Sequence, residues 1–166
     1  MIIDLSNAKI GDLIPVSGEE ILSDELLDRE GRFTAPVKVS VDVVLISESE
    51  AAVTGEIEYG IHTYCDKCGE ECEYVYKAKL GASFSGSGEE DTYPFGGMEI
   101  DLSKAIQDCV ILDLPTKVLC KEDCAGLCPI CGTNLNVKQC KCKESAEDES
   151  NPFAALRQLD FSGGAE

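Results

Sequence analysis

The feature that most constrains this chain is the spacing of its cysteines. Eight of the ten fall into four close pairs, Cys65/Cys68, Cys120/Cys124, Cys128/Cys131 and Cys140/Cys142. Two of the pairs have the form Cys-x-x-Cys-Gly, ending at Gly69 and Gly132. A tight turn of that length brings both sulfurs onto one metal ion. The glycine tolerates a positive φ, which lets backbone amides point at sulfur. A zinc ion held by four cysteines is tetrahedral, closed and structural, so two such sites would use all eight residues and leave no open coordination position. Four pairs taken two at a time allow three groupings. Joining Cys128/Cys131 with Cys140/Cys142 closes only a short loop and costs little entropy. Cys65/Cys68 would then pair with Cys120/Cys124, tying a hairpin tip to a segment far along the chain. The competing ribbon, which joins the two Cys-x-x-Cys-Gly knuckles, stays open on spacing alone.

The remaining candidates have plainer readings. Cys109 falls on the apolar side of a helical pattern and reads as core, where free cysteine is common. Cys72 follows the first knuckle closely and reads as strand packing, with a spare-ligand role as the alternative. His62 is the only histidine and reads as a strand residue beside the knuckle. A redox Cys-x-x-Cys belongs to a βαβ context, whereas Cys65 and Cys68 sit on the turn of a meander. No Gly-rich phosphate loop, Ser/His/Asp arrangement or zinc-protease helix is present, so the expectation is a protein that is not an enzyme and takes no small-molecule substrate.

Charge and compartment narrow the reading further. The chain has 166 residues and a net charge of −18, from 32 acidic and 14 basic side chains. No run of apolar residues is long enough to span a membrane, and Met1 to Leu5 lacks the basic-then-apolar order of a secretory signal. A cytoplasmic protein is therefore expected. In that compartment closely spaced cysteines favour metal over disulfides. The acidity argues against a broad grip on nucleic acid, whose affinity comes from Lys and Arg neutralising phosphates. The charge is uneven, however: Lys121, Lys138, Lys141 and Lys143 cluster around the last cysteines against only Glu122 and Asp123.

Along the chain, Val37, Val39, Val41 and Val43 alternate with polar residues as in a half-buried strand. The alternation resumes from Val53 to Tyr64, and a third β-rich run extends from Tyr74 to Phe84. The first thirty residues are mixed; a strand or irregular arm before Pro15 and an acidic amphipathic helix over residues 18–27 are the expectations there. A Gly/Ser/acid loop occupies residues 85–97. A helix opens at Asp101-Leu102-Ser103 and stops before Pro115. After an acidic stretch, Asn151 and Pro152 suit the cap and first turn of a short terminal helix. The expected fold is α+β: an antiparallel β-meander or barrel-like sheet, a few short helices and a zinc-bound cysteine-rich C-terminal module. The expected organisation is a mainly β core over 1–118, a zinc module over 119–143 packed on that core, and an acidic linker with a terminal helix over 144–166.

The run from Leu114-Pro115 through Cys120, Cys124, Cys128-Pro129-Ile130-Cys131-Gly132-Thr133-Asn134-Leu135-Asn136 and Cys140-Lys141-Cys142 to Asn151-Pro152-Phe153 resembles the YceD family of large ribosomal RNA subunit accumulation proteins. The first knuckle and the Ile100-Asp101-Leu102-Ser103 helix entry fit the same resemblance, which spans roughly residues 30–160. It implies a part in 23S ribosomal RNA accumulation or processing during large-subunit assembly, in the bacterial cytoplasm or a plastid. Family members that keep the first knuckle and a later pair but lack the last cluster imply that Cys65/Cys68 goes with Cys120/Cys124.

Three functions follow as expectations. The first is a non-enzymatic assembly factor that holds a basic ribosomal protein or a 23S precursor, since a strongly acidic surface suits a lysine-rich protein before it meets RNA. The second is an RNA-binding zinc module acting directly on ribosomal RNA. The third, ranked lowest, is a redox or nuclease-associated subunit.

Overall fold

The structure, a computed structural model, describes residues 1–87, 91–96 and 98–142. Lys143, the expected linker, the expected terminal helix and part of the acidic loop lie outside the described residues. The chain divides into two compact units, Met1–Cys124 and Ala125–Glu166.

The first unit is dominated by strands: β1 (Ile2–Asp4), β2 (Leu13–Glu20), β3 (Gly31–Phe33), β4 (Val37–Ser47), β5 (Glu50–Tyr64), β6 (Glu71–Ser85), β7 (Tyr93–Pro94) and β8 (Glu99–Asp101). One α-helix, α1 (Ser103–Asp113), follows them. Strands β2, β4, β5 and β6 form an antiparallel sheet in that order. β7 adds in parallel to β6, and β3 pairs with β5 beyond the end of β4. β1 and β8 make a separate two-stranded sheet. The larger sheet is an open meander, and its path closes no ring among the described residues. The expected set of short helices reduces there to α1 and a single 3-10 turn, Asp24–Leu26.

The period-two pattern explains the core. On β4, Val37, Val39, Val41, Val43 and Leu45 all face inward and are buried. They meet Val53, Ile57, Tyr59 and Ile61 of β5 and Ala78, Leu80, Ala82 and Phe84 of β6. Helix α1 closes this face with Ala105, Ile106 and Val110. Burying each larger aliphatic side chain contributes about 1.5–3 kcal/mol. Tyr59 is buried yet satisfied: its hydroxyl donates to the Asp113 carboxylate at 2.8 Å, fixing the end of α1 to the sheet. Burial, and then the Asp113 hydrogen bond, push the Tyr59 phenol well above its ordinary range. Gly55 sits in the inward row of β5, opposite Val41 of β4. A Cβ there would lie 2.3 Å from the Ser40 carbonyl oxygen and 2.5 Å from Val41 Cα.

The helix expected over residues 18–27 is not formed. Residues 18–20 finish β2, and only Asp24–Leu26 turns, as a 3-10 helix. Leu22 and Leu27 are both buried, but five residues apart they cannot share one helical face. Local polar groups also favour the irregular path. Ser23 Oγ accepts from the Glu25 N–H at 3.3 Å, and the Asp24 carboxylate accepts from the Phe33 N–H at 2.8 Å.

Candidate metal centres

β5 and β6 are each fifteen residues long and pair in register from Glu50/Ser85 to Tyr64/Glu71. This long hairpin carries the first knuckle at its tip. The turn is closed by Gly69 N–H donating to Cys65 O at 2.9 Å and Cys65 N–H donating to Glu70 O at 2.8 Å. Gly69 has φ 71°, the left-handed region where a Cβ is strained. The second knuckle repeats the geometry: Gly132 N–H to Cys128 O at 2.9 Å, Cys128 N–H to Thr133 O at 2.8 Å, and φ 69° at Gly132. The same local sequence builds the same turn in both units.

The sulfurs of Cys65, Cys68, Cys120 and Cys124 all lie within 4.8 Å of one another, and so do those of Cys128, Cys131, Cys140 and Cys142. The structure thus groups the pairs as loop closure favours, not as a knuckle–knuckle ribbon. Each cluster is an arrangement that can hold a metal ion. Across the first, Cys65 and Cys124 are 3.7 Å apart at sulfur and Cys68 and Cys120 are 3.5 Å apart. Zinc–sulfur bonds of about 2.3 Å in a tetrahedron place sulfurs roughly 3.8 Å apart, so the donor set fits such an ion. Three of the four are buried, as a closed site requires.

Electrostatics point the same way. Burial pushes the Cys65 thiol up, but N–H groups of Cys120, Lys67 and Cys68 outweigh it and bring the thiol down to about 6. Burial and hydrogen bonding among the sulfurs push Cys120 up to about 12. In the second cluster the Thr133 hydroxyl and N–H bring Cys131 down to about 6, while its contact with Cys131 and then burial push Cys142 up to about 12. Four thiolates this close repel one another, and a divalent cation at the centre removes that conflict.

The first cluster depends on supports that no spacing rule reveals. Asp66, inside the knuckle, accepts from the Val118 N–H at 2.6 Å, and its own N–H donates to Val118 O at 2.9 Å. Arg29 donates to the Asp66 carboxylate at 3.2 Å and to the carbonyls of Pro115 at 3.0 Å and Thr116 at 3.2 Å. Lys67 donates to Cys124 O at 3.2 Å, and the Tyr74 hydroxyl donates to Leu119 O. These bonds hold the segment carrying Cys120 and Cys124 against the hairpin tip. Arg29→Ala should therefore lower the stability of the first unit by about 1–3 kcal/mol in urea titration, through the loss of charge-assisted bonds. An unchanged midpoint would show that the cysteine turn holds itself.

In the second cluster the support comes from the run that follows the knuckle. Asn136 Oδ1 accepts from the Ala125 N–H at 2.9 Å, Leu135 N–H donates to Gly126 O at 2.9 Å, and Leu127 bridges to Asn134. Cys72 lies half-buried on β6, packed against the core and the first cluster, and Cys109 is half-buried with its thiol toward Lys79 O at 3.5 Å. His62 lies on β5, 3.5 Å from the Glu71 carboxylate.

The family described as "Large ribosomal RNA subunit accumulation protein YceD" matches residues 53–160. The "Large ribosomal RNA subunit accumulation protein YCED homolog 1, chloroplastic" of Arabidopsis thaliana is 28% identical, covering 74% of this chain and 49% of its own. The protein of the same name from Zea mays is 42% identical over 31% of this chain and 18% of its own. An uncharacterised protein of Mycobacterium leprae is 27% identical over 63% of this chain and 51% of its own. The chain thus spans about half the length, or less, of these relatives. No solved structure matches it.

Proposed function

The chain belongs to the YceD family, and from that premise we propose that it is a non-enzymatic cytoplasmic factor supporting large-subunit ribosomal RNA accumulation. In this reading two zinc ions are structural, one bound by Cys65, Cys68, Cys120 and Cys124 and one by Cys128, Cys131, Cys140 and Cys142. Zinc supplies the cross-links; the chain supplies the surfaces. The observation that carries the structural role is that each cluster offers four sulfurs and so leaves a tetrahedral ion no position for substrate or water. Among the described residues no helix is long and apolar enough to cross a membrane.

The net charge of −18 supports a basic ribosomal protein as the direct partner, bound before it reaches RNA. Deleting the gene in its host should lower the ratio of 23S to 16S ribosomal RNA, and the wild-type chain should restore it. A ratio unchanged by deletion, under conditions where the protein is expressed, would defeat the proposal.

A second reading has one observation behind it. Residues 125–142 contain Lys138 and Lys141 and no acidic side chain, and both lysines are exposed. Direct contact with ribosomal RNA through this unit would give binding that weakens steeply with salt. That stretch also lacks any aromatic ring on which bases could stack, which favours the protein partner. Filter binding of a 23S fragment at two salt concentrations, with Lys138→Glu/Lys141→Glu beside the wild type, separates the two. Salt-steep binding abolished by the double change would make RNA the direct partner.

A further inference from the structure

The outer face of the large sheet, opposite the core, is ordered by strand register into rows. One row reads Glu19, Lys38, Glu58 and Lys77 across β2, β4, β5 and β6. Its charges alternate, with Lys38 and Lys77 at 3.0 and 3.3 Å from the two oxygens of Glu58. Six residues further along β4 the row is different in kind: Leu13, Val44 and Ala52 stand side by side. Next to it the register shifts between Leu45 and Ser47, where Ser47 pairs with Glu50 and Ile46 is the extra, bulged residue. Leu13 is 62% exposed and Ile46 53% exposed, so this corner shows its aliphatic side chains to solvent.

The flanking charges are of one sign. The row on one side carries Asp42, and the bulged end on the other carries Glu50, with Glu48 in the adjoining turn. No basic residue occupies either position. The turn entering β2 contributes Lys9 and Asp12, which cancel. An apolar strip edged by acids suits an amphipathic segment with aliphatic side chains on one side and Lys or Arg on the other. A second copy of this chain would bring the same acids and another −18 against it.

We infer that the corner formed by Leu13, Val44, Ile46 and Ala52 is a docking surface for a basic, aliphatic-bearing segment of a partner protein. The inference rests on the assembly role proposed above and says which part of the molecule meets the basic partner. The charged row of Glu19, Lys38, Glu58 and Lys77 sums to zero net charge, so it adds no net attraction for a basic segment. Selectivity arises because charge draws the segment in and the aliphatic strip admits only one with matching side chains.

The test uses full-length zinc-loaded protein and two dye-labelled probes of equal charge, one alternating Lys and Leu, the other alternating Lys and Ser. Anisotropy titration should show the Lys/Leu probe binding about tenfold tighter, and Leu13→Ser/Ile46→Ser should remove that advantage while leaving the Lys/Ser probe unchanged. Both side chains are more than half exposed, so melting temperature and zinc content should stay at wild-type values. Should that variant fail to fold, Glu50→Lys serves instead and should weaken both probes. Equal affinity for the two probes, or binding unaffected by these substitutions, overturns the inference. Concentration-dependent dimerisation lost in Leu13→Ser/Ile46→Ser would assign the corner to a second copy and overturn it as well. Capture from RNase-treated lysate separates this surface from the role on which it rests. Ribosomal proteins captured equally by wild type and variant would refute the surface alone. The probe pattern without any ribosomal protein captured would refute the role alone.

Discussion

If each cysteine cluster holds a zinc ion as proposed, Cys124→Ser is expected to release one of the two and to destabilise the first unit by more than about 4 kcal/mol, the range in which loss of a metal site falls. The sulfur is buried and 3.7 Å from that of Cys65, so serine there leaves three thiolates around a poorer site. The cross-link also restrains the unfolded chain. Cys68 and Cys120 are 52 positions apart, against nine for Cys131 and Cys140. The longer span makes the first tie worth about 1.5 kcal/mol more in closure entropy. Cys140→Ser should therefore release the other ion while leaving the cooperative melting of the sheet where it was. Metal analysis under reducing conditions, paired with thermal unfolding of both variants, checks each part. Equal shifts in melting for the two variants, or two ions retained in either, would contradict the assignment.

The second large effect is steric. Gly55→Ala should cost more than about 3 kcal/mol in urea unfolding, at or beyond the upper end of ordinary overpacking. Its Cβ would meet backbone atoms of Ser40 and Val41, which cannot rotate away as a side-chain end can. Either β4 and β5 separate at the centre of the sheet, or the inner row loses its register. Gly69→Ala has open space around it but keeps φ 71°, so it should cost only about 1–2 kcal/mol. Gly81→Ala has neither obstacle and should leave the midpoint nearly unchanged. A Gly55→Ala midpoint close to that of Gly81→Ala would mean that the strands are not packed so closely.

The three long strands were legible because each carries one solvent face and one apolar face, and alternation is the signature of that geometry. The N-terminal stretch was not. Residues 18–20 complete a strand whose partner, β4, lies almost twenty positions downstream, and the nearby acids and leucines imitate a helix as long as that partner is ignored. The cysteines were legible as pairs since each knuckle is a local turn. Their grouping became plausible through loop closure and the family resemblance, yet its physical enforcement lies elsewhere. Arg29 and Tyr74 reach across 37 to 87 positions to a carboxylate and to carbonyls that no local pattern links to them. Such contacts appear only once the chain has returned to the hairpin tip.

That return has a temporal side. The hairpin presenting Cys65 and Cys68 leaves the translating ribosome well before Cys120 and Cys124 do. At synthesis rates of about 5–20 residues per second, the gap is roughly 3–10 s. Over that interval the sheet can pair while its first cysteine cluster has only two of its four sulfurs. A two-thiolate site holds zinc weakly and exchanges it readily, so firm capture waits for the returning segment. Under the proposed zinc assignment, metal supply would then determine whether newly made chains mature, with little influence on whether the sheet begins to form.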